Sequence, residues 1–128
     1  MWSVVLSVVA SKSVLVVEDD PAVQGVLRIA LRRAGFTVST ATSGTEALRL
    51  IDEQSPDGVI LDLMLPDGRS REVLELIKEE GAEMSAWLVV SAMDPDEVHR
   101  LYGDLGRRFF PKPFDPWDLA NSLRRALR

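Results

Sequence analysis

Cysteine is absent from the 128 residues, so disulfides and thiolate chemistry are excluded, and a reducing cytoplasm suits the chain. Histidine occurs once, at His99, which cannot assemble a multi-histidine metal site and is expected on the surface. No interior apolar run is long enough to cross a bilayer. Cationic residues are outnumbered 15 to 20 by acidic ones, for a formal net charge of −5. That balance disfavours a general nucleic-acid surface, which needs a basic face. The arginines at 124, 125 and 128 read as partners of a helix C-terminus.

What is present fits one soluble globular domain: 46% hydrophobic and 27% charged residues. Met1 to Ser11 is apolar and carries none of the basic residues with which a signal peptide begins. Residues 1–12 are therefore read as an N-terminal extension and 13–128 as the domain.

Short apolar runs alternate with amphipathic stretches five times. Val14-Leu15-Val16-Val17 reads as a strand buried on both faces. Asp20-Pro21 then opens a helix with Val23, Val26, Leu27, Ala30 and Leu31 inward, ended by Gly35. Phe36–Ala41 is a second strand, and Ser43-Gly44 opens a helix burying Ala47, Leu48 and Ile51. Gly58–Asp62 is a third strand, followed by a helix with Val73, Leu74 and Ile77 inward. Trp87–Val90 runs to Ser91, and Asp94-Pro95 caps a short fourth helix. Arg108–Pro111 is a short fifth strand, and Asp115-Pro116 caps a last helix striped by Leu119, Leu123 and Leu127. Five strand–helix units without a hairpin signal predict an α/β fold, a parallel sheet with helices on both faces.

In such sheets ligands bind beyond the carboxyl ends of the strands. Glu18, Asp19 and Asp20 follow the first strand, Asp62 ends the third, Ser91 ends the fourth, and Lys112 follows the fifth. Asp20, directly before Pro21, is read as a helix cap. The remaining carboxylates repel one another, at about 4 kcal/mol for two charges 4 Å apart in a medium of effective dielectric near 20. A hard divalent cation such as Mg²⁺ relieves that repulsion. Metal, lysine and hydroxyl together suit phosphoryl oxygens, with a carboxylate as nucleophile.

At these residues the sequence resembles the response-regulator receiver domain of two-component phosphorelay signalling. The resemblance runs from about Ser13 to Arg128. It rests on Val14–Pro21, Val59–Gly68, Val89–Ala92 and Pro111–Phe114 in this order and spacing. It implies a doubly wound, flavodoxin-like sheet of order 2-1-3-4-5. Asp62 would be the phosphoacceptor, with Asp19 a direct Mg²⁺ ligand, Glu18 a holder of metal-bound water, and the Met64 backbone carbonyl a further ligand. Mn²⁺ is expected to substitute for Mg²⁺. Ser91 and Lys112 would bind phosphoryl oxygens, with Ser91 and Phe109 as the switch pair and a cis peptide bond between Lys112 and Pro113. The implied donor is a phosphohistidine on a sensor kinase or phosphotransfer protein, and the output a protein-interaction surface. The protein would be cytoplasmic, a monomer or weak dimer, and a switch rather than an enzyme. Whether it is a single-domain regulator or a piece of a longer one stays open.

Phe110 has the opposite strand parity to Phe109, so one ring is expected buried and the other more exposed. Met64 and Met93 stand where polar side chains can orient a hydrolytic water, which predicts a long-lived phosphorylated state. Pro111 lacks a backbone donor, so the fifth strand is expected to be short or at the sheet edge. Two enzyme-like and cofactor-binding readings fit less well. A haloacid-type hydrolase needs a second Asp where Met64 stands. A flavodoxin-like binder needs a neutral phosphate loop where Glu18-Asp19-Asp20 stands. A receiver-like scaffold that works without phosphorylation is the third alternative.

Overall fold

A computed structural model describes residues 11–79 and 86–127. Residues 1–10 of the expected N-terminal extension, and Arg128 of the terminal arginine cluster, lie outside the described residues. Five strands, β1 (Ser13–Val17), β2 (Thr37–Ala41), β3 (Gly58–Asp62), β4 (Ala86–Ser91) and β5 (Phe109–Pro111), form one parallel sheet of order β2-β1-β3-β4-β5. The helices are α1 (Pro21–Arg33), α2 (Gly44–Gln54), α3 (Ser70–Glu79), α4 (Pro95–Tyr102) and α5 (Pro116–Ala126).

The β-branched and leucine runs form strands because both sheet faces are covered. Leu15, Val17, Val59, Leu61 and Val89 point into a core shared with α2, α3 and α4. Val14, Val16, Ile60, Leu88 and Val90 point into the core under α1 and α5. Period-2 alternation thus separates two apolar layers rather than core from solvent.

Helix starts follow the Asp/Ser signals. The Asp20 carboxylate accepts from the Ala22 and Val23 amides, Ser43 caps α2, and Asp94 and Asp115 cap α4 and α5. Gly35 adopts φ +100 after α1, the left-handed geometry that favours glycine at a helix end. No helix of the described residues is long and apolar enough to cross a membrane.

Several expectations are corrected. Val26, expected inward, is 48% exposed, because α1 turns Leu27, Ala30 and Leu31 to the sheet and leaves Val26 on its flank. Leu50 is buried on α2, whereas Leu48 is only half-buried. β2 begins at Thr37, with Phe36 a buried residue ahead of it, and β5 begins at Phe109 because Arg108 closes a 3₁₀ turn (Gly106–Arg108). Phe109 and Phe110 do not divide into buried and exposed. Both are half-buried, because an edge strand covered on both faces gives each ring a separate, incomplete apolar layer. The short edge position expected from Pro111 is what the sheet shows.

Candidate functional site

Parallel pairing sets the rim of the sheet. Val17 lies beside Leu61, so Glu18 follows at the level of Asp62, which pairs with Val90. The Glu18 amide donates to Ala41 at 3.0 Å and its carbonyl accepts from the Gln24 side chain at 2.9 Å, which holds the turn out of β1. Ser91 ends β4 opposite Pro111, and its carbonyl accepts from the Lys112 amide at 2.8 Å. The peptide bond between Lys112 and Pro113 is cis.

This backbone brings one cation among three carboxylates. Lys112 Nζ lies 2.5 Å from Glu18 Oε1 and 3.2 Å from Asp62 Oδ2. Glu18 and Asp62 are buried and Asp19 is exposed, and one oxygen of each lies within 4.8 Å of the others. Burial pushes the Glu18 carboxyl up to about 8, helped by the neighbouring Asp62 and opposed by Lys112. Burial alone would lower the Lys112 ammonium, but its bond to Glu18 and the Asp62 charge outweigh it and raise the pKa. Glu18, Asp19 and Asp62 together share one ammonium, so ionising all three leaves an excess of negative charge, and the raised Glu18 carboxyl resists that ionisation.

Hard oxygen donors crowded in this way, one from each of buried Glu18, exposed Asp19 and buried Asp62, could hold a divalent cation. Ser91 is fully buried, and its Oγ accepts from the Met93 amide at 3.0 Å. Among the described residues Ser91 Oγ makes no hydrogen bond to Asp62 or Lys112 side chains. Phe109 packs into the layer under α2, α3 and α4, and His99 is exposed on α4, as expected.

Two polar residues missed in the sequence organise the loop after β3. Asp67 reaches the start of α2, accepting from the Gly44 amide at 3.1 Å and the Thr45 amide at 3.0 Å. The Thr45 backbone bond, foremost, holds the Asp67 carboxyl below its ordinary value. Ser70, buried at the start of α3, donates to the Asp62 carbonyl at 2.8 Å and accepts from the Leu65 amide at 3.3 Å. Beside the rim, Val23, Val26, Lys112, Phe114 and Pro116 line an apolar cavity of about 480 Å³.

A family model described as the response regulator receiver domain matches residues 14–124. The chain belongs to that family. This receiver domain is 36% identical over 119 residues to response regulator MprA of Mycobacterium ulcerans, covering 92% of this chain and 51% of MprA. It is 32% identical to the alkaline phosphatase synthesis transcriptional regulatory protein PhoP of Bacillus subtilis, covering 92% of this chain and 49% of PhoP. The chain thus spans about half the length of these curated relatives. Among solved structures, the BeF₃-activated receiver domain of DrrB, a Thermotoga maritima protein, matches with a TM-score of 0.78 at 28% identity, covering 92% of this chain and 98% of that one. The receiver fold and the five-stranded order expected from the resemblance are both found.

Proposed function

We propose that this receiver domain accepts one phosphoryl group on the Asp62 carboxylate and passes the event to a protein-interaction surface. The observation that carries this reading is the strand-end cluster, in which Lys112 lies 3.2 Å from Asp62 Oδ2 and 2.5 Å from Glu18 Oε1. An Asp62 oxygen attacks phosphorus, the bond from phosphorus to the donor's imidazole nitrogen breaks, and the imidazole keeps the electron pair. The donor is a phosphohistidine on a sensor kinase or phosphotransfer protein.

Mg²⁺, held by Asp19, Asp62 and the Met64 carbonyl with Glu18 behind, would supply charge neutralisation for the transferred group. Lys112 binds a phosphoryl oxygen from the opposite side. Ser91, whose Oγ accepts from the Met93 amide, donates its hydroxyl proton to a second phosphoryl oxygen, which draws the end of β4 inward. Phe109, half-buried on the neighbouring edge strand, has room to turn into the space so opened and alters the α4–β5–α5 face. Because the phosphoryl group ends on the protein's own side chain, the domain acts as a switch rather than an enzyme. A cytoplasmic setting follows from a cytoplasmic phosphodonor.

Incubation with Mg²⁺ and acetyl phosphate, followed by intact-mass measurement, tests the reading. The expected result is a gain of one phosphoryl group in the parent and none in Asp62→Asn. No gain in a parent that binds Mg²⁺ and is presented with a phosphorylated partner kinase would favour a phosphorylation-independent scaffold.

A further inference from the structure

The loop from Asp62 to Ser70 has each of its first three amides assigned. Leu63 N donates to the Val90 carbonyl at 3.0 Å and Met64 N to Asp62 Oδ1 at 2.8 Å. Leu65 N donates to Ser70 Oγ at 3.3 Å. Ser70 is 3% exposed, and its hydroxyl has one proton, which goes to the Asp62 carbonyl at 2.8 Å. The oxygen lone pairs are thereby turned to Leu65, so a single side chain joins the backbone of the phosphoacceptor to the backbone beyond Met64.

The Leu65 N–H and the Met64 carbonyl belong to one peptide plane, and in a trans peptide they point in opposite directions. Fixing the N–H on Ser70 therefore fixes the carbonyl on the side away from it. Among the described residues the Met64 carbonyl accepts no hydrogen bond. We infer that Ser70 is a positioning residue: its hydroxyl, held between the Asp62 carbonyl and the Leu65 amide, aims the Met64 carbonyl at the cation site of Asp19 and Asp62. This rests on the metal reading proposed above and adds a residue outside the ligand set. Removing the hydroxyl frees the peptide plane to rotate and also leaves the Asp62 carbonyl short of a partner.

The test is Mg²⁺ affinity of the whole chain, measured by calorimetric titration for the parent, Ser70→Ala and Ser70→Cys. Cysteine keeps the size of the side chain but is a poor acceptor, so it preserves packing where alanine leaves a gap. Ile77→Val serves as a control that loosens α3 without touching the loop. The dissociation constant is expected to rise roughly tenfold in both Ser70 variants, the lower end for residues that orient metal ligands, and to stay at the parent value in Ile77→Val. A purely structural Ser70 would lower thermal stability and leave the affinity unchanged. A folded Ser70 variant within twofold of the parent would overturn the inference while leaving the metal reading intact. Failure of the parent to bind Mg²⁺ would overturn both.

Discussion

Met64 is 52% exposed at the mouth of the acidic site, whereas Met93 is half-buried against the core layer of α2, α3 and α4. The two methionines are therefore not equivalent in their access to an attacking water. A thioether holds water weakly, and Met64 is the one that faces solvent beside Asp62. Met64→Asn should shorten the half-life of the phosphorylated domain by roughly three- to tenfold, a modest share of what a well-placed polar group supplies in proton-transfer catalysis. Met93→Asn should instead lower stability. Decay of the phosphorylated mass after removal of the phosphodonor measures this, and an unchanged half-life in Met64→Asn would discard the explanation. At the same scale, Glu18, Asp62, Ser91 and Lys112 were legible in the sequence for a physical reason. Strands buried on both faces admit polar groups only at their ends, and parallel strands put those ends together. Ser70 and Asp67 were not legible, because their partners are backbone amides and carbonyls, and nothing in a sequence records which amide a hydroxyl will meet.

The elements around the site are joined by one close approach. Gly44 begins α2, and a Cβ there would lie 2.6 Å from the Arg69 Cβ and 3.1 Å from the Arg69 carbonyl carbon. The requirement is space for the loop after β3, not an unusual φ. Through that approach Asp67 bonds the Gly44 and Thr45 amides, and Arg69 reaches the Thr45 hydroxyl at 2.9 Å. Gly44→Ala would improve helix propensity in isolation. Here it forces α2 away from the loop and should destabilise the fold by about 1–3 kcal/mol, the range for overpacked sites. A lower denaturation midpoint in urea with an unchanged slope is the expected signature. Gain of stability would mean that the loop yields freely and that the Asp67 tether holds little. Sequence reading found Ser43-Gly44 as a helix start but not the close approach of Arg69 that the glycine allows. It also assigned the inward positions of α1 one residue too widely at Val26, because helical spacing defines a stripe and not its edges.

Over the whole molecule, right-handed connections in a parallel sheet send every strand toward one rim and every helix back from it. The negative charge of −5 is thus paired with a local concentration of buried carboxylate at that rim. Folding brings Glu18 and Asp62 together with only Lys112 between them, and the raised Glu18 carboxyl marks a loss of stability above its ordinary range, because the fold disfavours its ionised form. A cation that binds the folded site and not the unfolded chain returns it by mass action. At a hundred times the dissociation constant this amounts to about 2.7 kcal/mol, or roughly a 10 °C rise in melting temperature for a domain of this size. Saturating Mg²⁺ should therefore raise the thermal midpoint of the parent, while Asp19→Asn, which removes the solvent-facing ligand and leaves the buried trio intact, should lose most of the rise. Matched ionic strength with a monovalent salt separates binding from screening, since screening would stabilise both proteins alike. An equal rise in the two would place the cation elsewhere on the acidic surface and separate the rim cluster from metal binding.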